Sequence, residues 1–295
     1  MRRHLRVHVV PLWRERDRVV GPIEDDRPDR VYLLEHEDRA VERPDYHETV
    51  VERIADVVGE PPAVEYVDLF DMYDVMGAIT TIADWHPDDL VRVNVTAGTK
   101  RAAVGATMAC MDEHTDAEPY VADPESRPHG LEDPATEGYA ESALLTTYQI
   151  DSPTPDQVAT LAVIEAHDTG AKRAKKKTLI TEAARYDLDF MRGRVEGDPE
   201  NYDPTNGDYN VLDNRVTGAL EHQGYVAVVE HGTRRYLELT EEGRQTLRAF
   251  RHRAESVIAD LESRTADPNE GVDFTLDNPV DDLATDHADR RPSGD

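Results

Sequence analysis

The sequence predicts an α/β fold with a mostly parallel sheet, followed by a smaller helical domain that carries a two-stranded hairpin. Three observations predict it. Short apolar strands alternate with helices over the first 150 residues, which is the pattern of a sheet covered on both faces. A proline-flanked polar stretch, Asp151-Ser152-Pro153-Thr154-Pro155, then interrupts the chain. Beyond it, three helical segments precede two strands and a closing helix.

In the first half, Leu5, Val7 and Val9 alternate with Arg6 and His8, as in a strand with two unlike faces. A polar stretch with Trp13, Arg14, Arg16, Asp17 and Arg18 follows and is expected to form a loop. Asp29–Leu34 makes the second strand, and Tyr46–Val58 a helix with Val50, Val51, Ile54, Val57 and Val58 at helical spacing. Ala63–Val67 is the third strand. Asp68 or Asp71 caps a helix expected over Phe70–Ala83. Leu90–Val95, a helix over Arg101–His114, a strand over Ala117–Val121 and another near Ala140–Tyr148 complete the domain. His8 reads as a structural histidine on the first strand, and Cys110 as a buried filler among Ala106, Met108 and Ala109.

In such a sheet, ligands gather beyond the carboxyl ends of the strands. Two loops lie there: Pro11–Arg18 and Asn94–Lys100 (Asn-Val-Thr-Ala-Gly-Thr-Lys). The second joins a strand to a helix through a glycine-containing turn, which points free N–H groups and one lysine at an anion. It is neither a G-x-G-x-x-G fingerprint nor a Walker A turn. A plain capped turn, with Thr99 as N-cap and Asn94 holding the loop, fits the same residues.

The wording of that turn resembles the Asn-x-Thr-Gly-Gly-Thr-Lys loop of CRISPR-associated Rossmann-fold (CARF) domains, with Ala97 in place of the first glycine. The resemblance implies a Rossmann-like dimerisation and sensing domain over residues 1–150 that binds a cyclic oligoadenylate or related nucleotide across a homodimer. The implied ligand-binding residues are Trp13, Arg14, Asn94, Thr96, Gly98, Thr99 and Lys100. Arg16 is a further phosphate candidate, and Trp13 has an alternative role in core or dimer packing.

In the second half, Thr154 with Pro155 and Gln157 marks a capped helix start. Lys172–Lys177 leads into a helix over Thr178–Tyr186, and residues 187–208 read as an inserted acidic loop. A third helix is expected over Tyr209–Gln223, with Val216 and Leu220 inward. Tyr225–Val229 and Arg234–Leu239 form a hairpin, and a helix runs from Thr240 to about Ile258. The pieces L-x-x-x-G-Y and L-T-x-x-G within Leu220–Leu247 resemble a winged helix-turn-helix domain, placed over 151–260. That resemblance implies double-stranded DNA as partner, read through Asn214 and Arg215 of the third helix. Lys175, Lys176, Lys177, Arg234 and Arg235 would meet phosphates. Residues 261–295 read as an acidic, disordered tail.

The two halves together resemble archaeal transcription regulators with an N-terminal CARF domain and a C-terminal winged helix. The expectation is a cytoplasmic DNA-binding regulator under nucleotide control, more a binding protein than an enzyme. Its alternatives are a ring nuclease that cleaves the cyclic oligoadenylate, and a non-enzymatic assembly dimer. No catalytic residue, cofactor or metal ligand is assigned, and no membrane span is expected.

Charge sets the conditions. The net charge is −29, and 28 arginines stand beside only five lysines, four of them within Lys172–Lys177. Residues 1–150 carry −17, residues 151–260 carry −5 and the last 35 carry −7. Such composition resembles that of salt-adapted archaeal proteins. At molar salt the Debye length is about 3 Å, so acidity there does not repel an anionic partner from a distance. One cysteine excludes an intramolecular disulfide and a multi-cysteine metal site.

Overall fold

A computed structural model of the chain describes residues 3–38, 44–127, 134–168, 173–231 and 234–258. It divides into two compact units, one reaching Ser152 and one beginning at Pro153. The expected acidic tail lies outside the described residues.

The first unit is built on a six-stranded sheet: β1 (Arg6–Pro11), β2 (Arg30–His36), β3 (Ala63–Val67), β4 (Leu90–Asn94), β5 (Glu118–Asp123) and β6 (Glu141–Leu144). Their spatial order is β3-β2-β1-β4-β5-β6, with β1 to β5 parallel and β6 antiparallel at the edge. Four helices join the parallel strands: α1 (Asp17–Asp26), α2 (Tyr46–Val58), α3 (Met72–Trp85) and α4 (Lys100–Met111). α1 packs with α2, and α3 with α4. The chain moves outward from β1 to β3, then returns to place β4 on the other side of β1. That reversal opens a crevice above the carboxyl ends of β1 and β4. Central strands buried on both faces explain why Val7, Val9 and Val10 are fully buried in an otherwise alternating stretch.

Helix α1 corrects the expected loop through Arg18. The Gly21-Pro22 pair in its middle reads as a breaker in sequence, yet Val19, Val20 and Ile23 are fully buried. Burying each such side chain is worth about 1.5–3 kcal/mol, enough to outweigh a local penalty of about 3 kcal/mol for an interior proline. α3 starts two residues later than expected, because Asp71 accepts from the Tyr73 amide at 2.8 Å. β6 is a short exposed edge strand covering part of the expected stretch.

The second unit contains α5 (Pro155–His167), α6 (Lys176–Arg185), α7 (Asn206–Leu212), α8 (Gly218–His222), the hairpin β7 (Val226–His231) and β8 (Arg234–Leu239), then α9 (Glu241–Phe250) and α10 (His252–Ile258). α5 begins with the expected capping box of Thr154 and Gln157. Leu161, Ile164, Ile180, Leu212, Val216, Leu220 and Leu247 form its buried interior. The L-T-x-x-G piece has a steric cause, since a Cβ on Gly243 would lie 2.0 Å from the Tyr225 carbonyl oxygen.

Three expectations change here. The third helix runs unbroken from Asn206 to His222 but widens into a π-helical turn, Asp213–Thr217, between α7 and α8. The closing helix divides at Arg251. The acidic insertion 187–208 is anchored by buried Leu188, Phe190 and Met191. Asp208, 1% exposed, organises its end. It accepts from the Thr205 amide (2.8 Å) and hydroxyl (2.7 Å), the Tyr202 hydroxyl (2.7 Å) and Arg194 Nε (2.9 Å).

Candidate functional site

The Asn94–Lys100 turn sits at the sheet reversal and is held from inside. Asn94 is fully buried. Its Nδ2 donates to the Arg18 carbonyl at 2.9 Å, while its Oδ1 accepts from the Thr96 amide (2.9 Å) and hydroxyl (2.7 Å). Arg18 is four residues before Pro22, which has no N–H to offer that carbonyl. Asn94 therefore takes the place of a missing helical hydrogen bond and fastens β4 to α1.

Gly98 permits the next close approach, because a Cβ there would stand 2.8 Å from the Pro11 ring at the end of β1. Ala97 is fully buried and its carbonyl accepts from the Trp13 amide at 3.2 Å. Thr99 caps α4 as expected, accepting from the Ala102 amide at 3.0 Å, and its hydroxyl donates to the Leu69 carbonyl. Its side chain is thereby committed to the fold. Among the described residues the Gly98, Lys100 and Arg101 amides meet no intramolecular acceptor, and the exposed Lys100 ammonium has no carboxylate partner. Free amides, the positive end of a helix and one unpaired cation make an anion-accepting surface.

Trp13 is half-buried in an aromatic cluster above β1, β2 and β3. Its ring meets Phe70 at 5.1 Å and His36 at 6.2 Å, both edge to face, and its carbonyl accepts from His47 Nε2 at 3.0 Å. Neither Phe70 nor His36 was assigned from sequence; each lies at the end of a strand or at a helix entry, where only the sheet order brings it beside Trp13. Arg14 is half-buried next to Trp13, and its carbonyl accepts from the Ala135 amide at 2.7 Å. Arg16 is paired bidentately with Asp17 at 3.0 Å. The structure thus gathers Trp13, Gly98, Thr99 and Lys100 at the carboxyl ends of the strands, with Asn94 and Thr96 beneath as supports.

A separate cavity of about 250 Å³ lies along the sheet, lined by His8, Pro22, Asp25, Asp26, Arg92, Tyr120, Ser142 and Leu144. Its charges are mutually engaged: Asp26 meets His8 Nε2 and Arg92 Nη1, both at 2.8 Å, and Tyr120 meets His8 Nδ1 at 3.2 Å. Burial lowers the His8 pKa, so the ring is neutral at pH 7; it donates to Asp26 and accepts from Tyr120. This is a structural histidine. Cys110 is likewise inert, its thiol pushed up to about 12 by burial. Among the described residues no group of three His, Cys, Asp or Glu side chains could hold a metal ion, and no helix is long and apolar enough to cross a membrane.

The residues expected to meet DNA are placed differently. Lys176 Nζ is 2.6 Å from Asp213, Lys177 Nζ is 2.8 Å from Asp203, and Arg235 Nε is 2.9 Å from Glu230. Exposed Lys175 lies 5.6 Å from the centroid of the Tyr236 ring. Asn214 and Arg215 are exposed, but on the π-helical turn rather than a regular reading helix. The Arg234 side chain and Lys172 lie outside the described residues.

Comparison with known proteins follows the same division. The family model described as HFX_2341_N-like, N-terminal, matches residues 6–127. That for the DUF6293 C-terminal winged helix domain matches residues 156–251. The chain carries an N-terminal CARF-like domain and a C-terminal winged-helix domain. No curated protein matches the sequence. Among solved structures, it is similar to Can2 from Sulfobacillus thermosulfidooxidans in complex with cyclic tetra-adenylate. There the identity is 15%, over 88% of this chain and 68% of that one, with a TM-score of 0.33. Csm6 of Enterococcus italicus, bound to cyclic hexa-2′-fluoro-hexa-dAMP, shares 9% identity over 96% and 91% of the two chains, with a TM-score of 0.35. Protein VC1899 from Vibrio cholerae shares 15% over 86% and 66%, with a TM-score of 0.31.

Two of these structures hold a cyclic oligonucleotide. The expectation of a non-enzymatic, DNA-binding regulator is withdrawn, since neither the family matches nor the similar structures carry it. Double-stranded DNA is withdrawn as a partner, in keeping with the acidic side chains that occupy Lys176, Lys177 and Arg235. The homodimer is withdrawn with it, having been inferred to span a ligand and space two winged helices.

Proposed function

We propose that the chain binds a cyclic oligoadenylate through its CARF-like unit and opens the ring. The observation that carries the reading is the Asn94–Lys100 turn, which offers unpaired amides and an unpaired ammonium at the sheet reversal. In this reading the Gly98, Lys100 and Arg101 amides and the Lys100 ammonium hold a ligand phosphate. Trp13 stands at the base, Arg14 beside a neighbouring phosphate, and Asn94, Thr96 and Thr99 keep the turn in shape. The complexes of Can2 and Csm6 with cyclic oligonucleotides support the ligand class.

Ring opening needs no external nucleophile. A ribose 2′-oxygen attacks the adjacent phosphorus, the P–O5′ bond breaks, and the products are a 2′,3′-cyclic phosphate and a 5′-hydroxyl on one linear chain. The 2′-hydroxyl proton passes to solvent, and the departing 5′-oxygen takes one from solvent. The turn contains no histidine or carboxylate. Its contribution is to hold the attacking and leaving atoms in line and to stabilise charge on the phosphate through Lys100 and the amides.

Calorimetric titration of the wild type and Lys100→Ala with cyclic tetra- and hexa-adenylate tests the site. The variant is expected to bind at least about tenfold more weakly, the scale of one lost charge-assisted hydrogen bond. Unchanged affinity would remove the turn from the binding surface.

A further inference from the structure

We propose that Phe70 is the stacking face for an adenine base at the Asn94–Lys100 site. The inference rests on the reading of that turn as a nucleotide site and adds the residue that selects for a base. Phe70 is 41% exposed, although the preceding Leu69 is fully buried. It is held firmly despite that exposure. Its amide donates to Asp68 Oδ1 at 2.8 Å, and its carbonyl accepts from Arg101 Nη1 at 2.9 Å. Its ring is braced edge to face by Trp13, at 5.1 Å and 83°, and by His36, at 5.2 Å and 80°.

The same bonds tie the ring to the anion-accepting turn. Thr99 donates to the Leu69 carbonyl and Arg101 to the Phe70 carbonyl, so the residues on either side of Lys100 clamp the segment that presents the ring. Cation and aromatic face therefore belong to one rigid unit, and a nucleotide is the ligand that carries an anion and a flat π-system on one short frame. A preorganised ring with few torsions loses little freedom on stacking.

Charge points the same way. Residues 1–150 carry a net −17, and at high ionic strength the attraction between Lys100 and a phosphate is strongly screened. Stacking is not screened. A site in so acidic a unit gains retention from a base-binding face that a phosphate-only turn would lack.

The test uses the full chain in molar potassium chloride, with cyclic tetra-adenylate and inorganic tripolyphosphate as probes. Phe70→Ala is expected to weaken cyclic tetra-adenylate binding about 10- to 100-fold, the range for loss of one stacked base. Tripolyphosphate binding should stay unchanged. Phe70→Tyr should bind within about threefold of wild type, while Phe70→Leu, which keeps apolar bulk without a π-face, should resemble Phe70→Ala. Quenching of Trp13 emission by the base, read in a Trp85→Phe background, should vanish with Phe70→Ala. Wild-type affinity in Phe70→Ala or Phe70→Leu would overturn the proposal. Equal loss of tripolyphosphate binding would also overturn it, by making Phe70 a brace for the turn. Failure of the wild type to bind cyclic tetra-adenylate would instead remove the parent reading, and the proposal with it.

Discussion

Asn94 and Pro22 are partners without touching: the Asn94 side-chain amide donates, at 2.9 Å, to the Arg18 carbonyl that Pro22 leaves without a helical donor. An interior proline and a turn asparagine 72 positions later thus solve one hydrogen-bonding problem. Truncating Asn94 leaves the Arg18 carbonyl and the Thr96 amide unsatisfied in a buried place. Asn94→Ala should cost about 2–4 kcal/mol in urea unfolding. In a Pro22→Ala background residue 22 regains an N–H for Arg18, so the Asn94 substitution should cost about 1 kcal/mol less. Strict additivity would show that the two residues are not coupled.

The His8–Asp26 pair predicts a pH dependence. Burial, the largest effect, lowers the His8 pKa below its ordinary 6.5, so the unfolded chain takes up that proton first as pH falls. The contribution is intact above 6.5 and is lost between 6.5 and the lowered folded value. Asp26 is itself penalised by burial, but its bonds to His8 and Arg92 prevail and hold its pKa below 3.8. Its contribution is lost at still lower pH, as the carboxylate takes up a proton in the folded state. Arg6, Arg92 and Tyr120 also face this pair. Stability measured from pH 7 to 5 should fall for wild type and fall less for His8→Gln. Parallel curves would contradict the assignment.

Asp208 plays the corresponding part in the winged-helix unit. Burial opposes its charge, yet bonds from Thr205, Tyr202 and Arg194 hold its pKa at about 2. Its stabilisation should therefore persist down to about pH 3.8 and be lost as pH falls through 2. Asp208→Ala should destabilise this unit by about 2–4 kcal/mol at pH 7, the cost of stripping a buried carboxylate from several donors. A loss below about 0.5 kcal/mol would mean that the insertion 187–208 is not anchored through Asp208.

Close packing gives a sharper steric prediction. Gly243→Ala would drive a methyl group against the Tyr225 carbonyl oxygen. An unfolding midpoint lowered by several degrees, from a cost of about 1–3 kcal/mol, is expected. An unchanged midpoint would contradict the approach of α9 to the hairpin.

Much of this fold could be read in the residues. Alternation in Leu5–Val9 and the apolar spacing of Val50, Ile54 and Val57 depend on local periods that sequence preserves. The Thr99 and Thr154 caps depend on bonds within three residues. Helix α1 was hidden because Gly21-Pro22 is a local breaker whose cost is offset by burial against distant strands. The π-helical turn is equally illegible, since Lys176 of α6 meets Asp213 only once the helices have packed. The same holds at the candidate site. Its turn can be read as a motif, whereas Phe70 joins Trp13 only because β3 and β1 flank β2.

Ring opening is tested most directly by incubating the full chain with cyclic tetra- and hexa-adenylate in molar potassium chloride and weighing the recovered nucleotide by mass spectrometry. Attack by the 2′-oxygen predicts a linear product of the same mass as the ring, resolved from it by chromatography, ending in a 2′,3′-cyclic phosphate and absent with Lys100→Ala. Recovery of intact ring after binding would contradict the account.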